Sequence, residues 1–249
     1  MIQNKRPAPA PVAIVFGGSS GIGAETARRF AEAGHRVAVV GSRPRSEVEG
    51  LMKEVVGGLY LQTDLSQAGA PGSVVEAVLE AWGRLDAVVY SAGATVRIPH
   101  PDLPSVTDEV WERILLMNLR VPWRVVQAVE PALRRSGDGS ITIVGALAGV
   151  DVGGSSIPYA VSKAAVHHMC KLLGGVLGPE IRINAVAPGL IDTPWTDGWD
   201  ALRSTVVKTA PLARTGTPGD VADAVFGLVS SRYVTGQVVV VDGGLSLVP

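Results

Sequence analysis

The chain has 249 residues, with 22 basic and 23 acidic side chains and a formal net charge of -1. This balance gives no basic field for nucleic acid or an anionic lipid surface, so neither is expected as a partner. A single cysteine, Cys170, excludes an intramolecular disulfide and a cysteine-rich metal site, and no apolar run reaches the roughly 18 residues of a membrane span.

The chain begins with a Pro/Ala-rich segment, residues 1–11, that is too poor in apolar side chains to pack against a core. It also has charge and proline where a signal peptide needs an apolar stretch. We therefore expect a flexible N-terminal tail on a cytoplasmic globular protein.

After this tail, short apolar runs alternate with longer amphipathic stretches. The runs are continuously apolar and rich in Val and Ile, which is typical of strands in a parallel sheet covered on both faces. The alternation predicts right-handed βαβ units and a doubly wound α/β sheet in one domain, residues 12–249. Segment 188–217 is the longest irregular stretch and is expected to be a substrate lid. The predicted strands are 12–16, 36–40, 58–61, 87–90, 140–144, 182–187 and 237–241, and the predicted helices lie near 21–33, 44–56, 72–83, 106–135, 158–177 and 218–230.

A glycine-rich turn, GGSSGIG at 17–23, follows the first predicted strand and opens the first helix. Gly17, Gly21 and Gly23 allow a tight turn and close approach to a diphosphate, which the helix N-terminus attracts with free N–H groups. The same turn matches the Gly-x-Ser-x-Gly elbow of hydrolases, with Ser19 as nucleophile. A hydrolase usually has its histidine late in the chain, and the last one here, His168, lies well before the C-terminus. The turn therefore predicts a dinucleotide site.

The end of the second predicted strand indicates which dinucleotide is bound. An enzyme that prefers NAD(H) has Asp or Glu there to bind the ribose 2′-hydroxyl. This strand ends instead in Ser42 and Arg43, a hydroxyl and a guanidinium that suit a 2′-phosphate. We expect NADP(H) rather than NAD(H), with a solvated helix start as the alternative interpretation of Arg43.

Tyr159 and Lys163 are four residues apart in a predicted helix, which places both side chains on one face. A phenol with an ordinary pKa near 10 needs a stabilised anion to work near neutrality, and a lysine ammonium one turn away supplies that stabilisation. Such a pair is frequent by chance, but together with the glycine turn it indicates an acid–base site.

Several motifs in fixed order now make the chain similar to a known family. They are GGSSGIG at 17–23, Asp64-Leu65, Ser91-Ala92-Gly93, Asn118, YAVSK at 159–163, NAVAPG at 184–189 and VDGG at 241–244. From residue 12 to 244 the chain resembles the short-chain dehydrogenase/reductase family. The resemblance implies a seven-stranded Rossmann sheet and reversible hydride transfer between a carbonyl carbon and a nicotinamide.

The resemblance also implies roles for individual residues. Tyr159 would protonate the carbonyl oxygen, Lys163 would hold the nicotinamide ribose and lower the tyrosine pKa, and Asn118 would position a water. Asp64 would accept a hydrogen bond from the adenine amino group. The implied cofactor-binding set is Gly17, Ser19, Ser20, Gly21, Ile22, Gly23, Ser42, Arg43, Asp64, Leu65, Ala92, Gly93, Tyr159, Lys163, Pro188, Gly189, Ile191 and Thr193.

One departure affects the chemistry directly. The family has a catalytic serine about 13 residues before the tyrosine, and this chain has Ala146 there. Three explanations stay open: a serine-to-alanine replacement introduced by engineering, use of another hydroxyl such as Ser155 or Ser156, or a repurposed NADP-binding protein with a non-redox or regulatory role. The retained Tyr159 argues against the third, and we expect an oxidoreductase whose activity Ala146 impairs.

The expected substrate is a largely apolar ketone or its secondary alcohol, because the candidate pocket residues are mostly apolar. They are Ala146, Val150, Val152, Leu190, Trp195 and Trp199. A spacing of four would place the two tryptophans on one face of a lid helix, with ordinary packing as the alternative.

Two further expectations concern metals and assembly. His167 and His168 are adjacent, so they point in different directions, and no carboxylate cluster accompanies them; we expect no metal site. Charged residues are only 18% of the chain, which suggests a surface partly covered by other subunits. With the family resemblance, this predicts a homotetramer in which helices 106–135 and 158–177 meet their symmetry mates.

Overall fold

The computed structural model describes residues 10–248 and contains one parallel sheet of seven strands in the order β3-β2-β1-β4-β5-β6-β7. Apart from its last two positions, the predicted tail at 1–11 lies outside the described residues. The strand order reverses between β1 and β4, which is where open α/β sheets form their ligand crevice. The strands are β1 Val12–Phe16, β2 Arg36–Gly41, β3 Leu59–Gln62, β4 Ala87–Tyr90, β5 Gly139–Val144, β6 Ile181–Pro188 and β7 Val238–Val241.

Residues 10–248 contain eight α-helices, and the longer ones cover the two faces of this sheet. They are α1 Gly21–Glu32, α2 Glu49–Glu54, α3 Ala70–Trp82, α4 Asp108–Leu115, α5 Val121–Ser136, α6 Ile157–Gly174, α7 Asp200–Thr209 and α8 Pro218–Ser230. The predicted doubly wound α/β fold is confirmed, and every predicted strand lies within two residues of its observed bounds. No helix within residues 10–248 is long and apolar enough to cross a membrane.

The helices differ from the prediction in two places. The single helix predicted at 106–135 is α4 and α5 joined by a π-helical turn, Leu116–Arg120, which contains Asn118. The segment 188–217, predicted to be irregular, contains the ten-residue helix α7. Both differences lie at the site, because the π-turn and α7 are close to the carboxyl ends of the strands.

The core explains why the strands are continuously apolar. Successive side chains of a strand point to opposite faces, and both faces of β1 are buried. Ile14 and Phe16 belong to the apolar cluster on one face, which includes residues of α3, α5 and α6. Ala13 and Val15 belong to the cluster on the other face, with residues of α1 and α8. The rigid sheet therefore holds the loops at its carboxyl edge in fixed positions.

Candidate active site

A cavity of about 740 Å³ opens at the carboxyl edge of the sheet and brings together most of the residues singled out from the sequence. Its wall runs from the glycine turn after β1, past the ends of β4 and β5, to the lid after β6. The sequence-predicted residues on this wall are Gly17, Ser19, Ser20, Gly21, Ile22, Ser42, Arg43, Asp64, Leu65, Ala92, Gly93, Ala146, Val152, Tyr159, Lys163, Pro188, Gly189, Leu190, Ile191, Thr193, Trp195 and Trp199.

Three predicted residues do not line the cavity. Gly23 lies beneath the turn, where a Cβ would be 2.1 Å from the carbonyl oxygen of Gly17. Asn118 is buried, with 2% of its surface exposed. Val150, predicted as a pocket residue, does not line the cavity in this structure; it follows a short 3₁₀ turn and is half exposed.

The segment 188–217, predicted to be a substrate lid, also differs from its prediction, because the two tryptophans do not share a helix. Trp195 lies in the 3₁₀ turn Pro194–Thr196, and Trp199 is the N-cap residue of α7. Both line the cavity, together with Leu202 and Val206 of α7. The spacing of Trp199, Leu202 and Val206 is helical and was the signal that could have revealed α7.

Sequence reasoning missed other wall residues that local patterns do not mark. They are Gly41, Thr63, Met117, Val144, Gly145, Leu147, Ala148, Asp151, Gly153, Gly154, Pro194, Thr196 and Leu245; Ser91, of the motif at 91–93, and Ser155 also line the cavity. Most of them are the immediate neighbours of the motif residues. The ends of adjacent parallel strands meet at one edge, so these neighbours share the cavity.

The glycine turn fits closely against two other strands. The N–H groups of Gly17 and Gly18 both donate to the carbonyl oxygen of Val40 at 2.9 Å, which ties the turn to the end of β2. Gly17 has φ +76°, and a Cβ there would lie 2.4 Å from the backbone nitrogen of Ala92 after β4. Ser20 caps α1 without a side-chain hydrogen bond, so the first N–H groups of the helix remain available to an anion. The residues of this turn therefore fit the diphosphate of a dinucleotide.

The end of β2 presents the groups expected for a 2′-phosphate. Ser42 and Arg43 line the cavity, and the Arg43 guanidinium lies 3.5 Å from the carboxylate of Glu47. The Tyr60 hydroxyl donates to the backbone oxygen of Arg43 and so fixes the backbone that carries it. Asp64, on the same wall, accepts hydrogen bonds from Ser66 and Gln67, and these bonds lower its pKa.

Tyr159 and Lys163 lie one turn apart on α6, as their spacing predicted. The Lys163 ammonium lies 5.6 Å from the centre of the Tyr159 ring and donates to the carbonyl oxygen of Val144 at 3.0 Å. Burial raises the pKa of the Tyr159 phenol and lowers the pKa of Lys163 to about 8. The expected lowering of the tyrosine pKa is therefore not seen, since desolvation of the phenol outweighs the ammonium. Near neutrality the phenol holds its proton and can donate it.

The buried Asn118 side chain joins three parts of the site. Its oxygen accepts from the Ala94 N–H at 2.8 Å, and its amide nitrogen donates to the Ala94 oxygen and to Ser162 Oγ, both at 3.0 Å. Ser162 in turn donates to the carbonyl oxygen of Tyr159 at 2.7 Å. The π-turn, the loop after β4 and the helix that carries Tyr159 are thereby fixed relative to one another. The side chain itself does not reach the cavity, so its implied water-positioning role is not visible.

The surroundings of Ala146 distinguish between the two serines named from the sequence. Ser156 is fully buried, and its Oγ accepts from the backbone N–H of Tyr159 as the N-cap of α6. Ser155 instead lines the cavity, as Ala146 does, and its hydroxyl is hydrogen-bonded to that of Thr95. Of the two serines, Ser155 is therefore the one that lines the cavity.

His167 is buried beneath the loop that carries Ala146. A Cβ at position 145 would lie 1.9 Å from Nε2 of His167, so only glycine fits at position 145. Burial lowers the pKa of His167 to about 4, and the ring is neutral near pH 7. Within residues 10–248, no group of three or more His, Cys, Asp or Glu side chains is arranged to hold a metal ion.

Comparison with known proteins agrees with this geometry. A family model described as enoyl-(acyl carrier protein) reductase matches residues 17–246. A protein of Streptomyces violaceoruber, named as ketoacyl reductase 2 of the granaticin polyketide synthase, is 46% identical over 96% of this chain and 97% of its own length. The 3-oxoacyl-[acyl-carrier-protein] reductase FabG of Thermotoga maritima is 36% identical over 94% of this chain and 97% of its own. A crystal structure of an actinorhodin polyketide ketoreductase variant with NADPH has a TM-score of 0.86 and 29% identity, covering 95% of this chain and 97% of that one.

The chain belongs to the short-chain dehydrogenase/reductase family, as the resemblance indicated. It is an oxidoreductase of the ketoreductase type that uses a nicotinamide cofactor.

The fit of the glycine turn leads to a first prediction, which compares two glycines of positive φ. Gly17→Ala places a methyl group against Ala92, so NADPH affinity should fall about tenfold or more. Gly34 has a similarly positive φ, +84°, but open space around it. Gly34→Ala should therefore cost only about 1–2 kcal/mol of stability. Fluorescence titration with NADPH and thermal unfolding measure the two effects. Equal losses of affinity in both variants would contradict the fit.

Proposed function

We propose that the protein catalyses the NADPH-dependent reduction of a largely apolar ketone to its secondary alcohol, and the reverse oxidation. The observation that carries the proposal is the position of Tyr159 and Lys163 in a single cavity, between the glycine turn and an apolar lid. The names of the relatives, which are ketoacyl reductases, favour a ketoacyl chain as the substrate.

The cofactor proposal is NADP(H) in preference to NAD(H). Ser42 and Arg43 offer a hydroxyl and a guanidinium, and no carboxylate follows β2 directly. NADPH is also the cofactor present in the structure of the actinorhodin ketoreductase. When bound, NADPH supplies the hydride that the carbonyl carbon receives.

Tyr159 supplies the proton that the reduction requires. As the carbonyl carbon gains a hydride, its oxygen gains negative charge and takes the proton of the Tyr159 hydroxyl. The Lys163 ammonium, one helical turn away and 5.6 Å from the centre of the ring, stabilises the phenolate that remains. The low dielectric that raises the tyrosine pKa also strengthens this attraction.

The lid side of the cavity determines which ketones fit. Leu190, Trp195, Trp199, Leu202 and Val206 give this wall an apolar surface, which suits an alkyl or cyclic chain beside the carbonyl. The indole of Trp199 is also contacted by the Arg97 guanidinium, 5.1 Å from the ring centre.

Ala146 favours a second candidate, an NADP-binding protein without redox turnover. Loss of a hydrogen-bond donor at the reacting oxygen is what such a repurposed protein would show. If the protein binds NADPH but no ketone oxidises the NADPH, this second candidate is supported.

The function is tested by following NADPH absorbance with a panel of ketones and ketoacyl thioesters. Tyr159→Phe should lower kcat by about 10²–10⁴-fold, because the proton donor is lost. Tyr233→Phe is the matched control, since Tyr233 is fully exposed and away from the cavity. Full activity of Tyr159→Phe would exclude the mechanism.

The pH dependence of the same reaction tests the role of Lys163. Lys163 is protonated below its pKa of about 8, so the rate of reduction should fall as the pH rises through 8.

Cofactor preference is tested with two neighbouring arginines. The unmutated protein should bind NADPH at least about tenfold more tightly than NADH, because charge-assisted hydrogen bonds contribute roughly 1.5–3 kcal/mol. Arg43→Ala should remove most of this preference and leave NADH affinity unchanged. Arg45→Ala is the control, since Arg45 is exposed but does not line the cavity. Equal affinities for both cofactors in the parent would refute the assignment.

We also propose a homotetramer, assembled through the surfaces of α5 and α6. Large apolar side chains are exposed there, at Trp123 on α5 and at Val161 and Leu172 on α6. Burial of these surfaces between subunits would agree with the low charge of the chain. Light scattering at micromolar concentration should give about four times 25.8 kDa, and a monomer would reject the proposal.

A further inference from the structure

We propose that Ser155, held in place by Thr95, supplies the hydroxyl that position 146 lacks and donates a hydrogen bond to the substrate oxygen beside Tyr159. The proposal rests on the proposed ketone reduction. Its starting point is Ala146, whose methyl group lines the cavity and offers no donor. Removing one donor to a developing oxyanion lowers turnover by about 10²–10³-fold, so an active enzyme with Ala146 needs a donor from another residue.

Most hydroxyls near Tyr159 are already engaged. Ser156 caps α6, and Ser162 donates to the Tyr159 carbonyl oxygen and accepts from Asn118. Thr196 donates to backbone oxygens of the lid turn. Ser155 differs from these three because its bond is to another hydroxyl, and unlike Ser156 and Ser162 it lies on the cavity wall.

The segment that carries Ser155 runs beside the Tyr159 ring. A Cβ on its neighbour Gly154 would lie 3.5 Å from Cδ1 of Tyr159. Ser155, Tyr159 and Ala146 all line the same cavity.

Ser155 is also rigidly held, which a donor to a transition state requires. Its backbone oxygen accepts from the Ile98 N–H at 2.8 Å, and its hydroxyl is bonded to Thr95. Thr95 follows Ala94, whose N–H and C=O are both bonded to Asn118. The loop after β4 thus fixes Ser155 from one side, and the start of α6 fixes it from the other.

The hydroxyl pair can orient its protons for this role. A hydroxyl has one donor and two acceptor positions. With Thr95 donating to Ser155, the Ser155 hydrogen is free to donate to the substrate oxygen, and the first bond polarises the second. The proton that the oxygen keeps still comes from Tyr159, and Ser155 remains protonated throughout. Thr95 is then a positioning residue that acts through Ser155.

The test uses the full chain with NADPH and a β-ketoacyl thioester of N-acetylcysteamine. Ser155→Ala should lower kcat by about 10²-fold, with KM and NADPH affinity within about threefold of the parent. Thr95→Val should lower kcat by about tenfold, whereas Thr95→Ser, which keeps the hydroxyl, should restore it. Binding of the thioester to the complex with NADP⁺, measured by calorimetry, should change little in Ser155→Ala, since the bond strengthens only as charge develops.

The decisive comparison adds a serine at the family position. In the Ser155→Ala background, Ala146→Ser should recover about tenfold or more of the lost activity, because it returns a donor to the substrate oxygen. In the parent, where a donor is already present, its gain should be smaller than this recovery. Thermal unfolding checks that each variant is folded, and Ser155→Cys, a weak donor of similar size, replaces any alanine variant that is not.

The outcomes separate the two proposals. A folded Ser155→Ala variant that keeps more than a third of the parent kcat overturns the role of Ser155 and leaves the reduction intact. A rise of about 10²-fold for Ala146→Ser alone also overturns it, because the parent would then lack the donor. A chain that binds NADPH but reduces no ketone, with either Ala or Ser at 146, overturns both the inference and the proposed function.

Discussion

A buried amide needs hydrogen-bond partners, and the site depends on how this requirement is met at Asn118. The side chain pairs with both backbone groups of Ala94 and with Ser162. Ala94 adjoins the loop that holds Ser155, and Ser162 adjoins Lys163, so one side chain sets the distance between the two halves of the site. Without it, the N–H and C=O of Ala94 would be left unpaired at a cost of about 1–3 kcal/mol each. The π-turn is the local distortion that contains this amide.

Desolvation gives the acid–base pair its resting state. The same surroundings raise the pKa of Tyr159 and lower that of Lys163, since each shift favours the neutral form. A neutral phenol beside an apolar lid is a proton donor, which suits the direction of ketone reduction. Tyr159 is therefore protonated before the reaction. The Lys163 ammonium would stabilise a negative charge developing on the phenol oxygen more strongly than it would in water.

Much of the fold could be predicted because both faces of central strands such as β1 and β4 are buried, which leaves continuous apolar runs in the sequence. The glycine turn and the Tyr159–Lys163 pair could be predicted because their spacing is local. Helix α7 was missed although Trp199, Leu202 and Val206 have helical spacing, because the Pro and Gly residues before it favoured an irregular segment. The bond between Thr95 and Ser155 joins residues 60 positions apart, and no local pattern reports it. The tyrosine pKa depended on burial, which spacing does not measure.

The lid brings fluorescent groups of its own to the cavity. Trp195 lies over the loop after β4, where its Cη2 would be 3.8 Å from a Cβ at Gly93, and Trp199 lies on the same wall. Indole emission overlaps the absorption of a reduced nicotinamide, so energy transfer between them depends on how closely the lid approaches the cofactor. The unlabelled protein can therefore report the distance between these indoles and a bound cofactor, and exchanging either indole for phenylalanine assigns the signal to Trp195 or to Trp199.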